Sequence, residues 1–193
     1  YQDTFSADDA VGDIVKVDEA LDRDTLCMAL YREKGAPKNS LNFKVYNPDQ
    51  AVPLSDVLPM LEHMGLRVVD EHPFRIRPLN DGNRTVMIQD FGVETKSGAP
   101  VKLEDVNQNF QDTFIRTWAG QMESDGFNAL VLQAGLAWRD VVILRAYSKY
   151  LRQAGIAFSQ SYMEQTLANN PKLTRLIVEL FATLFDPTLT STS

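Results

Sequence analysis

The hydrophobic repeat of this chain changes once along its length, and the change divides it. Up to the stretch Gly92 to Pro100 the apolar residues alternate, as Phe43 and Val45 do among Asn42, Lys44 and Tyr46. Beyond it Val106, Phe110, Phe114, Trp118 and Met122 recur at every fourth residue. A period of two describes a strand with one covered face and a period near 3.6 a helix with one apolar stripe, so the halves need different architectures. Gly92, Ser97, Gly98 and Pro100 punctuate the change. The expected fold class is α+β, an antiparallel sheet with a helix over 1–95, followed by an all-α helical motif over 101–187 and a disordered tail over 188–193. A chain of 193 residues, 44% of them hydrophobic, can bury two small cores.

Within the first half, Ser6 before Ala10, Val11, Ile14 and Val15 predicts a short capped leading helix. Strands are expected from Leu26 to Tyr31 and from Leu41 to Tyr46, antiparallel about the Gly35-Ala36-Pro37-Lys38-Asn39 connection. A helix follows, with Ser55 as its cap, Val57, Leu58, Leu61 and Met64 as its stripe, Pro59 in an early turn and Gly65 as its stop. Leu66 to Ile76 and Thr85 to Val93 read as a hairpin about Asp81-Gly82-Asn83. In the second half, helices are expected over the Val106–Met122 stripe, Phe127 to Ala134, Arg139 to Gln153, Tyr162 to Asn169 and Leu173 to Phe185. In the last, Leu173, Leu176, Ile177, Leu180, Phe181 and Leu184 are spaced for a buried face, and Asp186-Pro187 ends it.

Chemistry is hard to find. No Gly-x-Gly-x-x-Gly or phosphate-loop pattern opens a helix, so no bound dinucleotide is implied. His63 and His72 are the only histidines; their acidic neighbours Glu62, Asp70 and Glu71 make a metal conceivable, but two surface histidines are the favoured reading. Glu123-Ser124-Asp125 and Trp138-Arg139-Asp140 read as caps and helix-to-helix pairs, with Asp125 or Asp140 accepting backbone N–H groups and Arg139 bridging to an acid. The lone Cys27, in an apolar run, reads as a buried thiol of a reducing compartment, the cytoplasm by default. A net charge of −7 without a basic cluster argues against nucleic acid. No apolar stretch reaches the ~20 residues of a membrane span. The start, Tyr1-Gln2-Asp3-Thr4-Phe5, resembles neither an initiation site nor a signal peptide and suggests an excised piece.

Val52 to Val69 resembles a segment of the large bacterial NAD-dependent glutamate dehydrogenases. Ile88-Gln89-Asp90-Phe91-Gly92, Glu123 to Val131, Ala134 to Arg139, Leu144-Arg145-Ala146-Tyr147, Tyr150 to Gly155 and Phe158 to Tyr162 agree with it in the family's order. The resemblance runs from about Leu41 to Pro187 and implies a position ahead of the catalytic domain, where an ACT-like α+β module leads into a helical motif. The parent would convert L-glutamate to 2-oxoglutarate and ammonia while reducing NAD bound elsewhere, so the resemblance implies no catalytic, cofactor or metal residue here. An early hairpin replaces the strand-then-helix start of a complete ACT arrangement. ACT modules often bind effectors at a strand-to-helix turn, here Pro48 to Ser55, where Asn47, Asp49, Gln50, Ser55 and Asp56 are the polar groups on offer.

Two readings compete. One is a regulatory and architectural segment of such a dehydrogenase, partnered by the catalytic and other N-terminal domains of its own polypeptide within a homo-oligomer, with exposed apolar patches as its signature. The other is a free-standing module that senses an amino acid. An independent enzyme ranks last.

Overall fold

Stretches rich in β-branched and aromatic residues pair where the alternation predicts. The computed structural model of the protein describes residues 7–79 and 83–185. By internal contact the chain forms two units, Tyr1–Leu61 with Leu66–Leu103, and Glu62–Gly65 with Glu104–Ser193. The first holds helix α1 (Ala7–Arg23) and strands β1 (Cys27–Tyr31), β2 (Ser40–Pro48), β3 (Leu66–Ile76) and β4 (Val86–Thr95), with helix α2 (Leu54–His63, its last two residues in the second unit) between β2 and β3 in sequence. The four strands make one antiparallel sheet in the order β1-β2-β4-β3. Pro73 lies in β3, an edge strand, where its missing N–H breaks no central ladder. Arg32 shapes the β1–β2 connection by donating to the carbonyls of Lys38, Ser40 and Val101.

Register sorts the side chains. Leu41, Phe43 and Val45 face the same way as Val93, Phe91 and Gln89, and Lys44 and Tyr46 face the other way with Asp90 and Ile88. The expectation of one covered face on β2 is corrected: all four residues from Phe43 to Tyr46 are buried, because α1 lies over the second face. It does so through Val17, Ala20 and Leu21, which join Cys27, Tyr46, Val86 and Ile88 in one core. The leading helix is therefore longer than expected and turned: Val11, Ile14 and Val15 point to solvent. Ser6, Asp81 and Gly82 lie outside the described residues.

In α2 the apolar stripe is as expected, with Val57, Leu61 and Met64 fully buried and Leu58 half-buried. Gly65, at φ +83, ends it in the left-handed conformation. Ser55 is not its cap. The helix begins at Leu54, where the carbonyl of Pro53 accepts from the amides of Asp56 and Val57, so Ser55 sits in the first turn.

The second unit is helical: α3 (Leu103–Trp118, its first residue in the first unit), a 3-10 helix (Gly126–Ala129), α4 (Leu130–Ala134), α5 (Trp138–Gln153), α6 (Gln160–Asn169) and α7 (Pro171–Phe185). Val106, Phe110 and Phe114 are buried along α3, and Trp118 is half-buried, stacked on Phe114. The helix stops a turn short of Met122, because Gly120 at φ +68 turns the chain and lets the amide of Gln121 close on the carbonyl of Arg116. The expected helix Phe127 to Ala134 is a 3-10 turn running into α4. The largest departure is α7, where Thr174 alone is buried. Asp186, Pro187 and the 188–193 tail lie outside the described residues.

Candidate functional site

The polar residues expected to meet an effector fall into two groups. Asn47, Asp49 and Gln50 form the turn that ends β2. Asp49 adopts φ +62, a left-handed conformation that Asp tolerates better than most side chains. Its amide donates to the Thr85 carbonyl at 2.8 Å, its Oδ1 accepts from the Thr85 amide at 3.1 Å, and Asn47 Nδ2 donates to the Gln50 carbonyl at 2.8 Å. Asp49 thus holds the end of β2 to the start of β4, while Asn47 and Gln50 close the turn itself. Ser55 and Asp56 sit exposed in the first turn of α2, the Ser55 hydroxyl donating to Asp56 Oδ1 at 3.2 Å. No hydrogen bond among the described residues joins the two groups.

Gln89, which sequence reasoning did not single out, governs this turn. It is buried in β4, and its side chain accepts from the Val52 amide at 2.7 Å and donates to the Val52 carbonyl at 3.2 Å. An amide side chain thus pairs with the backbone as a neighbouring strand would, and fixes the approach to α2. A glutamine on the same strand face as Phe91 and Val93 was the available signal.

A second polar set lies on the opposite face of the sheet, under α1. Asp13 of α1 accepts from Lys44 Nζ at 2.7 Å and from the Tyr46 hydroxyl at 2.5 Å. Lys44 Nζ lies 5.0 Å from the centre of the Tyr31 ring, and the Tyr31 hydroxyl donates to Asp90 Oδ2 at 2.6 Å. Asp90 Oδ1 is buried and has no hydrogen-bond partner among the described residues. Burial pushes the Asp90 carboxyl above its ordinary range, against the opposing pull of the Tyr31 hydrogen bond and the Lys44 charge. Burial and the Asp90 bond likewise push the Tyr31 phenol upward. Acid, amine and phenol together look like a proton-transfer set, yet each is turned inward. Asp13 borders a cavity of about 360 Å³ whose other walls include Ile14, Val17, Ile76 and Ile88, and that carboxylate already holds a lysine and a tyrosine. The arrangement ties α1 to the sheet.

The second unit repeats the device. Arg145 of α5 is buried and grips Asp125 with two nitrogens, at 2.7 and 2.8 Å, and Asn128 Oδ1 at 2.6 Å. Gln160 of α6 donates to the same Asp125 at 3.2 Å, and Lys149 pairs with Glu123. Asp125 also caps the 3-10 helix by accepting the Phe127 amide, and Asp140 accepts the Ala137 amide at the start of α5, so both acids cap as expected. Arg139 does not bridge to an acid among the described residues; its guanidinium lies 5.1 Å from the Trp138 ring, an aromatic face within reach of its own helix turn.

Within its own unit each histidine has a separate neighbour: His72 is exposed beside Asp70 at 3.7 Å, and His63 Nδ1 is 2.9 Å from Ser124 Oγ. Among the described residues no group of three or more His, Cys, Asp or Glu is arranged to hold a metal ion, and no helix is long and apolar enough to cross a membrane. Cys27 is buried, which raises its thiol above the ordinary range.

Comparison with known proteins agrees with this division. Residues 25–106 match the ACT3 domain of glutamate dehydrogenase, and residues 122–187 match helical motif 3 of glutamate dehydrogenase. The chain is 37% identical over 187 residues to an NAD-specific glutamate dehydrogenase of Halomonas elongata, covering 97% of this chain and 11% of that protein. A protein of the same description from Pseudomonas aeruginosa is 37% identical over 185 residues, 96% of this chain and 11% of its own length. One from Mycobacterium tuberculosis is 36% identical over 193 residues, 97% of this chain and 12% of its own. The chain thus spans about a tenth of the length of the curated relatives it matches.

Proposed function

Because the chain belongs to the NAD-specific glutamate dehydrogenases, as a stretch carrying their ACT3 domain and helical motif 3, we propose that it is a non-catalytic architectural and regulatory segment of such an enzyme. The parent reaction is the oxidative deamination of L-glutamate to 2-oxoglutarate and ammonia, with NAD reduced. The observation that carries this reading is how the side chains are allotted. Lys44, Asp13, Arg145 and Asp125 hold elements together, while Leu173, Leu176, Leu180 and Leu184 face water. That is the pattern of a part that positions others. No glycine-rich loop opens a helix, so NAD is assigned to other parts of the parent. The same proposal gives the segment the catalytic and other N-terminal domains as partners, in a homo-oligomer, and a cytoplasmic location that suits one buried thiol.

The test is glutamate-dependent NADH formation, expected from the longer polypeptide and not from the 193-residue chain. Turnover by the chain alone, abolished by a point substitution within it, would refute the reading.

Effector binding at Asn47, Asp49, Gln50, Ser55 and Asp56 is the second reading, favoured by the exposed Ser55 and Asp56 beside a turn that Gln89 and Thr85 hold in shape. Calorimetry of the chain against glutamate, aspartate, arginine and glutamine tests it. Heat that disappears in Asp56→Ala supports a site there, and no heat with any of the four refutes it.

A further inference from the structure

We propose that the leucine stripe of α7 seats an amphipathic helix contributed by another part of the same polypeptide, an inference that rests on reading the chain as a segment of a longer enzyme. α7 is apolar over a wider arc than its neighbours α4, α5 and α6 cover. Thr174, Ile177, Val178 and Phe181, buried or half-buried, share one direction, with Phe181 meeting Tyr147 of α5 edge-on at 5.9 Å. Leu173, Leu176, Leu180 and Leu184 share a second direction roughly 100° away at 3.6 residues per turn. They are 52, 59, 59 and 67% exposed. Offsets of three, four and four residues draw a straight aliphatic line down the helix, the form that a partner helix packs against. Between α5 and α7, Ile143, Ala146, Tyr147, Tyr150 and Phe181 also line an apolar cavity of about 270 Å³, room for one anchoring side chain.

The extent of this surface decides between occupants. A stable complex of separate chains uses roughly 20–30 residues a side. Four leucines and one cavity are far fewer, so a second copy of this chain is a poor fit. A tethered helix meets its seat at an effective concentration of about millimolar, for which a short apolar line is enough. Relatives carry this stretch as 11 or 12% of their length, so a polypeptide of that kind has ample chain from which to supply the helix.

Amide hydrogen exchange across α7 tests this, measured in the 193-residue chain and in the longer native polypeptide that contains it. Exchange is expected to be at least tenfold slower in the longer protein. Leu176→Asp with Leu180→Asp should abolish the slowing and Leu180→Met should keep it. In the 193-residue chain the Asp pair should leave the melting transition unmoved, since both leucines already face water. Equal exchange in the two proteins overturns the proposal. So does a concentration-dependent dimer of the 193-residue chain that the Asp pair dissolves, because the seat would then take a second copy. Glutamate-dependent NADH formation by the longer protein is read in parallel: its absence overturns the underlying reading, whereas turnover with equal exchange overturns the docking alone.

Discussion

Lys44→Met should loosen α1 from the sheet, and Cys27 provides a gauge of how much. The Lys44 ammonium is 4% exposed and sits 2.7 Å from Asp13, itself 11% exposed. Removing the cation leaves a buried carboxylate bonded to Tyr46 without its charge partner, a change that costs about 3–5 kcal/mol in comparable settings. Lys44 also restrains the Asp90 carboxyl from rising further, so its loss stresses a second acid on the same face. Cys27 belongs to the core that α1 covers, together with Val17, Ala20 and Leu21. Its thiol should therefore react with a disulfide reagent only when that core opens, at a rate proportional to the open population. At 1.36 kcal/mol per tenfold, Lys44→Met should speed labelling by roughly two to nearly four orders of magnitude. Asp13→Leu with Lys44→Met removes both charges and should recover part of the loss, leaving about 1–3 kcal/mol for the acceptor taken from Tyr46. A single variant that labels less than about fivefold faster, near 1 kcal/mol, would refute the claim that this pair fastens the helix.

Other consequences follow from the same geometry. Arg145→Met strands Asp125 and should destabilise the helical unit by about 3–5 kcal/mol, read as an early transition in a urea melt followed by far-UV circular dichroism. Asp90 has a raised carboxyl, so between its ordinary pKa of 3.8 and its folded value the unfolded chain releases the proton first. Stability then falls as pH rises through that window, and Asp90→Asn should flatten the fall in melts taken at stepwise pH. The raised Tyr31 phenol gives a second loss above pH 10, where the unfolded chain ionises first, and Tyr31→Phe should remove it. Before any opening, the buried Cys27 thiol of the unaltered chain should resist alkylation for as long as the fold persists.

Period and punctuation carried most of the fold. β3 occupies the stretch that alternation marked out, and Gly65 ends α2 where a left-handed stop was expected. What periodicity could not supply was the identity of the covered side. α1 has apolar residues in two directions, Val11, Ile14 and Val15 against Val17, Ala20 and Leu21, and spacing alone does not say which set meets the sheet. Lys44 misleads for a related reason: a charge on a strand reads as solvent-facing until the helix bearing Asp13 docks over it. In α7 the period was right and the burial was not, since no element among the described residues covers the leucines. At the turn after β2 the polar groups were legible but their roles were not, because Asp49 bonds to the Thr85 backbone, which only the sheet brings near, while Asn47 bonds within the turn to the Gln50 carbonyl.

The stretches that carry the family resemblance place their polar side chains in contacts between elements. Glu123, Asp125 and Asn128 come from one stretch and Arg145 and Gln160 from two others; the Arg145 guanidinium donates to Asp125, to Asn128 Oδ1 and to the Glu123 carbonyl, and Gln160 donates to Asp125. Gln89 and Asp90, adjacent in another, serve opposite faces of the sheet, one pinning the path into α2 and the other receiving Tyr31. A reacting centre needs groups held close to a vacant place for substrate, whereas Asp13 is held against Lys44, Asp125 against Arg145 and Asp90 against Tyr31. On the proposed reading, substitutions in this chain should therefore alter the parent enzyme through the stability and docking of its elements. They should change the fraction of enzyme that is competent, or the response to an effector, before they change the barrier of the reaction itself.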